Sequence, residues 1–219
     1  MKYTNKIQKS VYRVAAKLAT TIGLLGSSIP ALAHHPLDGK TPSNLFEGVA
    51  SGLAHPVIGI DHFAFLIAVG LLAIGQRNRY VMPLIFVTAT MIGTALHLLS
   101  MNFIFEEAII ALSVVLFGGL IIASRQYQHP VLFALSGLAG LFHGYAYGEA
   151  IVGAEATPLV AYLFGFTLIQ YTVIALSMWV GVLILNKFNS QKSQQFKRVV
   201  GSVIFSIGCL FFAQSVGAI

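Results

Sequence analysis

Residues 45–75 read LFEGVASGLAHPVIGIDHFAFLIAVGLLAIG, and this stretch decides the fold class. About 20 consecutive apolar residues are enough to cross a bilayer as a helix, so the stretch is typical of a membrane segment. In its middle lies HPVIGIDH at residues 55–62, which places two imidazoles and a carboxylate at bilayer depth. A charged group there costs roughly 2.5–3.5 kcal/mol even on the most lenient scale. A chain that keeps such groups in its membrane segment is expected to use them.

The same stretch is too long for one straight span, and Pro56 and Gly59 predict a kink or break inside it. His55 and His62 are seven residues apart, about two helical turns, so a continuous helix would place them on one face. Asp61 is a candidate ligand, or an acceptor that holds His62 in one tautomer. A broken helix would add backbone carbonyl oxygens. The alternative is that these histidines only satisfy each other or the backbone within a bundle.

The composition extends this interpretation to the whole chain. Of its 219 residues, 57% are apolar and 9% are charged, against about 25% charged in soluble domains. Six apolar segments follow the N-terminal region, at about 45–75, 80–100, 104–124, 130–147, 157–186 and 197–217. We therefore expect an all-α fold, a polytopic membrane bundle of six transmembrane helices, forming one domain over residues 34–219.

The N-terminal region has the pattern of a secretory signal peptide. Five basic residues lie within residues 2–17, a short apolar stretch covers 18–30, and Ala31-Leu32-Ala33 fits a cleavage site. We predict cleavage after Ala33, which makes residues 1–33 the signal peptide; an uncleaved first helix of the same orientation is the alternative. The mature chain would then begin with His34 and His35, either a weak chelator of a divalent metal or simply a polar tail.

The loop charges predict the orientation. After a cleaved signal, six spans place the loops near 76–79, 124–128 and 186–198 in the cytoplasm. Those loops hold seven basic residues, and only Lys40 is left outside. This bias follows the positive-inside rule and predicts a bacterial inner-membrane protein with a periplasmic N-terminus. The net charge of +6 is accounted for by this topology and by the signal region, so the bilayer, and not a nucleic acid, is the expected partner.

Three further polar residues fall at the level of the first motif in this topology. His97 lies near the outer end of the second segment, His143 in the outer half of the fourth, and Glu149 just beyond it. Together they suggest a funnel from the outer face to the middle of the membrane. Taken alone, His97 is as well explained as an interfacial or packing residue. Tyr147 is equally compatible with a site or with the membrane interface.

Glycines predict which helices pack closely. Gly48 and Gly52 are spaced four residues apart, as are Gly140, Gly144 and Gly148. Such small-xxx-small spacing lets helix backbones approach each other in lipid.

Two motifs resemble those of one family. His55-Pro-x-x-Gly-x-Asp61-His62 in the first mature span and Phe142-His143-Gly144-x-Ala146 in the fourth are similar to motifs of the HupE/UreJ family. The resemblance covers essentially the whole mature chain. It implies a small six-span bacterial protein that takes up nickel or cobalt. The second motif of the family continues with His-Gly-x-Glu; here Tyr147 stands in place of that histidine and Glu149 comes one residue early.

The residues and the resemblance together predict uptake of a divalent transition-metal ion, Ni²⁺ or Co²⁺, by a permease or secondary transporter. Imidazole and carboxylate are donors suited to both ions. The candidate metal ligands are His34, His35, His55, Asp61, His62, His97, His143 and Glu149. We expect no prosthetic group and no ATP hydrolysis, because the sequence has no nucleotide-binding loop. The oligomeric state and any energising partner stay open.

The same residues are compatible with other functions. An intramembrane zinc-dependent hydrolase could use the same His and Asp residues, but the sequence has neither His-Glu-x-x-His nor Gly-x-Ser-x-Gly. We therefore expect a protein that is not an enzyme. A haem-binding electron carrier could use histidines from different helices as axial ligands. A membrane assembly factor with structural histidines would bind no metal at all.

Overall fold

The computed structural model describes residues 40–124 and 129–218. The predicted signal peptide, His34, His35 and Arg125 lie outside these ranges. The described part is helical, with no strand, and this confirms the predicted all-α class. Its seven helices are α1 (Leu45–Ile58), α2 (Ile60–Ala73), α3 (Val81–Leu98), α4 (Glu106–Ala123), α5 (His129–Glu149), α6 (Ala156–Lys187) and α7 (Ser190–Ser215).

The break predicted in the first segment occurs at Gly59. The axes of α1 and α2 are bent by 78° there, and Gly59 has extended backbone angles, φ −67° and ψ 105°. Each of the two helices has 14 residues, about 21 Å at 1.5 Å per residue, which is too short to cross a hydrocarbon core of about 30 Å alone. The pair is therefore one broken span or a re-entrant loop.

The other five helices are long and apolar enough to cross a membrane. They range from 18 to 32 residues, and with α1 and α2 taken as one span the total of six agrees with the prediction. The last helix begins earlier than its apolar segment, at Ser190, because a polar stretch over residues 190–195 continues the helix beyond the apolar part.

Close helix crossings occur at the glycines that predicted them. A Cβ atom on Gly48 would lie 2.5 Å from the Pro158 carbonyl oxygen of α6, and one on Gly140 would lie 2.7 Å from the Phe86 carbonyl oxygen of α3. Gly52 and Gly144 touch the backbones of α6 and α3 in the same way. These contacts confirm the predicted packing and pair α1 with α6 and α3 with α5.

Two hydrogen bonds identify the loops that share one end of the bundle. The Thr41 hydroxyl, just before α1, donates to the Val152 carbonyl oxygen in the α5–α6 loop at 3.2 Å. The Tyr145 hydroxyl near the end of α5 donates to the Met101 carbonyl oxygen in the α3–α4 loop at 2.6 Å. We call this end the outer end. The remaining turns form the inner end.

Charge separates the two ends as the sequence predicts. A cavity at the inner end is lined by residues of the α2–α3 turn, the end of α4 and both sides of the α6–α7 turn, among them Gln76, Ser124 and Lys197. The basic residues of the described part, apart from Lys40, lie at this end: Arg77, Arg79, Lys187, Lys192, Lys197 and Arg198. That the inner end faces the cytoplasm stays a prediction from this bias.

Candidate functional site

The bend between α1 and α2 brings His55 and His62 together. His55 lies in the last turn of α1, and His62 lies in the first turn of α2. Their ring centroids are 6.3 Å apart, and both side chains are buried. They approach each other because the chain turns at Gly59, and not because one continuous helix presents them on a single face.

His143 of α5 meets His62 directly. The two Nδ1 atoms are 2.8 Å apart and the ring centroids 4.9 Å apart. His143 is fully buried, and His62 is 4% exposed. Because the separation is that of a hydrogen bond, one ring donates its Nδ1 proton and the other accepts it. We call these two residues the histidine pair.

Two hydroxyl groups contact His143 and His55. The Ser113 hydroxyl of α4 lies 3.0 Å from Nε2 of His143, and the Tyr162 hydroxyl of α6 lies 3.2 Å from Nδ1 of His55. Neither residue is among the candidates predicted from the sequence. Serine and tyrosine in apolar helices are common, and nothing local in the sequence indicates that α4 and α6 pack against these rings.

Asp61 is buried beside the histidine pair. Its Oδ1 atom accepts a hydrogen bond of 2.9 Å from the backbone N–H of His62, in the first turn of α2. A carboxylate at a helix N-terminus is stabilised by the unpaired N–H groups there. Asp61 thus helps to begin α2 where the chain is broken, and it places a negative charge next to the histidines.

Tyr147 lies between His55 and His62. Its ring centroid is 5.2 Å from that of His55 and 4.7 Å from that of His62. The side chain is fully buried, yet its hydroxyl has no hydrogen-bond partner among the described residues. Such a buried orphan group is unusual and costs stability. Of the two readings that the sequence left open for Tyr147, this burial favours the site.

The structure places the remaining predicted ligands further out. His97 packs against Tyr145, with a ring-centroid distance of 4.4 Å, and against Gly148 of α5. Gly148 is five residues beyond His143, about 7.5 Å along the helix. Glu149 is the last residue of α5 and is exposed. Both residues thus lie between the histidine pair and the outer end.

Aromatic side chains close the site toward the inner end. Phe65, Phe86 and Phe117, from α2, α3 and α4, are fully buried. The Phe65 ring centroid lies 5.3 Å from Phe86, 4.5 Å from Phe117 and 4.4 Å from His143. We call these three residues the inner layer.

A second group of side chains closes the site toward the outer end. Tyr147, Ile151 and Tyr162 are at most 1% exposed and belong to one apolar cluster. The Tyr162 hydroxyl donates a 2.7 Å hydrogen bond to the Tyr147 carbonyl oxygen. We call these three residues the outer layer. The histidine pair is therefore enclosed on both sides.

Within residues 40–124 and 129–218, no three His, Cys, Asp or Glu side chains converge closely enough to hold a metal ion. The histidine pair supplies two nitrogen atoms at one point. Any further donor, from His55, Asp61, a hydroxyl group or water, would have to move toward that point.

Comparison with known proteins places the chain in a sequence family. The family model described as HupE / UreJ protein matches residues 22–211. A curated relative, Protein HupE of Rhizobium leguminosarum bv. viciae, is 29% identical over 161 residues, which cover 72% of this chain and 81% of that protein. No solved structure matches the chain.

Proposed function

We propose that this chain, which belongs to the HupE/UreJ family, carries a divalent transition-metal ion, Ni²⁺ or Co²⁺, across the bacterial inner membrane. Family membership supports metal transport at a coarse level, and it supports a transporter over a hydrolase or an electron carrier. The observation that carries the proposal is the histidine pair, two imidazole nitrogens in contact at the centre of an apolar bundle.

The spacing of the pair suits two ligands of one ion. Metal–imidazole bonds are about 2.0–2.1 Å long, so two nitrogens at right angles around an ion lie about 2.9 Å apart. The Nδ1 atoms of His62 and His143 are 2.8 Å apart. An ion can therefore enter between them with little movement of either helix, once the proton that joins the two Nδ1 atoms has been released or has moved to Nε2 of its ring. Right-angled ligand positions occur in the octahedral and square-planar geometries that Ni²⁺ and related ions adopt.

The remaining ligands in this proposal are His55 and Asp61. Both are buried next to the pair, and Asp61 supplies the negative charge that a divalent cation needs in a medium of low polarity. A site completed by movement of these groups, or by retained water, binds less tightly than a preformed cage. Weak binding is required for conduction, because an ion must leave the site as well as enter it.

His97 and Glu149 would act on the approach from the outer end, and His34 and His35 stay candidate ligands at the predicted N-terminus of the mature chain. In this scheme the ion loses water stepwise along the route. The outer layer would have to open for entry and the inner layer for release. The enclosed histidine pair would then be an occluded state, in which both layers are closed.

Uptake of radioactive Ni²⁺ and Co²⁺ at trace concentration tests the proposal, in cells that express the chain. The variants are His62→Ala, His143→Ala and Asp61→Ala, made to equal levels in the membrane. His129→Ala is the matched control, because His129 is the first residue of α5, at the inner end and away from the pair. We expect uptake by the chain and by the control, and loss of uptake in the three site variants. The isotope that is taken up faster identifies the preferred ion.

Two results would contradict the proposal. One is uptake of neither isotope by correctly inserted protein. The other is uptake that survives in all three site variants.

A further inference from the structure

The hydroxyl groups of Ser113 and Tyr162 each make two hydrogen bonds, one to a backbone carbonyl oxygen and one to a histidine ring. The bond to the carbonyl oxygen determines which atom donates in the bond to the ring. The Ser113 hydroxyl lies 2.6 Å from the Ile110 carbonyl oxygen and 3.0 Å from Nε2 of His143. The Tyr162 hydroxyl lies 2.7 Å from the Tyr147 carbonyl oxygen and 3.2 Å from Nδ1 of His55. A hydroxyl group has a single proton to donate.

For Ser113 that proton must point at Ile110. Two oxygen atoms 2.6 Å apart repel each other unless a proton lies between them, and a carbonyl group has none to give. The Ser113 oxygen is therefore an acceptor toward His143, and Nε2 of His143 carries the donated proton. In neutral His143 the lone pair is then on Nδ1, the atom that faces His62.

The same reasoning applies to Tyr162. Its proton is used by the Tyr147 carbonyl oxygen, so its oxygen accepts from Nδ1–H of His55. Neutral His55 then has its lone pair on Nε2. Because Nδ1 of His143 has no proton, His62 is the donor within the histidine pair. Nδ1 of His62 can therefore join the ion only after this proton moves to Nε2 or is released, whereas Nδ1 of His143 is ready to bind.

We propose that Ser113 and Tyr162 are positioning residues that select the histidine tautomers of the site, so that Nδ1 of His143 and Nε2 of His55 are the nitrogens that bind the ion. The inference rests on the proposed function for the identity of the ligand. The tautomers themselves can be measured without any metal. Hydrogen-bond partners of metal-binding histidines orient the rings and raise metal affinity, typically by 10–100-fold.

The first measurement is magnetic resonance of the ring nitrogens in metal-free full-length protein, with ¹⁵N-labelled histidine and lipid nanodiscs. The signals of His143 are identified by their loss in His143→Gln. We expect protonated Nε2 and unprotonated Nδ1 in the wild type, a mixture of both tautomers in Ser113→Ala, and restoration of the single tautomer in Ser113→Thr. Protonated Nδ1 in the wild type would overturn the inference, as would a Ser113→Ala spectrum equal to that of the wild type.

The second measurement is a Co²⁺ titration followed by visible absorption, which reports the donor set. Affinity should fall about 10–100-fold in Ser113→Ala and Tyr162→Phe and stay near the wild-type value in Ser113→Thr. Ser177→Ala is the control, since Ser177 also donates to a backbone carbonyl inside a helix, that of Val173 at 2.7 Å.

The two measurements separate the inference from the proposed function. If the wild type binds no Co²⁺ while the tautomer of His143 depends on Ser113, transport of Co²⁺ is contradicted and the positioning role of Ser113 stands. If all variants bind Co²⁺ equally well, the positioning role is contradicted and metal binding stands.

Discussion

The inner and outer layers enclose the same histidine pair but are held together by different forces. Phe65, Phe86 and Phe117 of the inner layer have no polar atoms in their side chains and merge with the main apolar core of the bundle. The outer layer belongs to a smaller cluster, and Tyr162 ties it both to the Tyr147 backbone and to His55. The inner layer therefore depends on packing alone, whereas the outer layer is linked to a candidate ligand by a hydrogen bond.

This difference suggests how a bound ion would act on each layer. An ion that draws His55 toward the pair would pull on Tyr162 and disturb the outer layer directly. The inner layer touches the pair through the packing of Phe65 and Phe86 against His143. Opening it exposes buried aromatic surface, at about 1.5–3 kcal/mol for each side chain. An ion at the histidines therefore weakens the outer layer directly, through Tyr162, whereas the inner layer keeps the full cost of exposing its rings.

Phe65→Ala tests the inner layer and should have the largest effect on stability. Phe65 is fully buried and contacts Phe86, Phe117 and His143, so its removal leaves a cavity between three helices. We expect a loss of about 3–5 kcal/mol in the free energy of unfolding. Thermal unfolding of the full chain in detergent measures it.

Phe164→Ala is the control for this change, because the Phe164 side chain is 63% exposed on the surface of α6. If both variants unfold at the same temperature, the inner layer is not held by packing in the way described.

Gly59→Ala tests the break that lies between the two layers. A Cβ atom on Gly59 would be 2.6 Å from Cδ2 of His62, so the imidazole must shift from its position in the histidine pair. We expect overpacking to cost about 1–3 kcal/mol of stability. Metal uptake should fall by about tenfold or more, because ring orientation sets metal affinity.

The matched variant is Gly75→Ala, where the nearest atom to a new Cβ would be 3.9 Å away. It should leave both stability and uptake near their wild-type values. Normal uptake in Gly59→Ala would show that the position of His62 matters little.

Tyr162→Phe tests the polar tie of the outer layer. It removes a donor from the Tyr147 carbonyl oxygen and an acceptor from His55 Nδ1–H, two buried groups. We expect a loss of about 1–3 kcal/mol in the free energy of unfolding, less than for Phe65→Ala. Tyr171→Phe in the same helix is the control, since Tyr171 is 41% exposed. Equal stability of the two variants would mean that the outer layer is held by packing, like the inner one.

Much of this architecture could be predicted from the sequence because membrane helices follow from hydropathy. The six segments, the break at Gly59 and the crossings at Gly48 and Gly140 depend on local composition and spacing. The break also determines how His55 and His62 meet. The prediction that His55 and His62 share one face of a continuous helix was therefore wrong, although the two rings do lie near each other.

The partners of the histidines could not be predicted in the same way. Ser113 and Tyr162 lie 30 residues before His143 and 107 residues after His55, respectively. Their contacts depend on how α4 and α6 rotate and pack, which a single sequence does not encode in any local pattern. His97 is a further case: it lies near the end of α3, and its ring packs against Tyr145 and not against the histidine pair.

Tyr147→Phe should have the smallest effect on stability. It tests whether the two tyrosine hydroxyl groups of the outer layer have different roles. The Tyr147 hydroxyl is buried without a partner among the described residues, so its removal breaks no hydrogen bond. We expect the free energy of unfolding to stay within about 1 kcal/mol of the wild type or to rise slightly, because a desolvated polar group is lost. Tyr145→Phe, two residues away, is the control; it loses a 2.6 Å hydrogen bond to the Met101 carbonyl oxygen and should be destabilised. If Tyr147→Phe nevertheless weakens Co²⁺ binding, the hydroxyl contacts the ion or its water. The cost of burying the Tyr147 hydroxyl would then be offset only when an ion is bound. In that case the outer layer would be the one that responds to the ion.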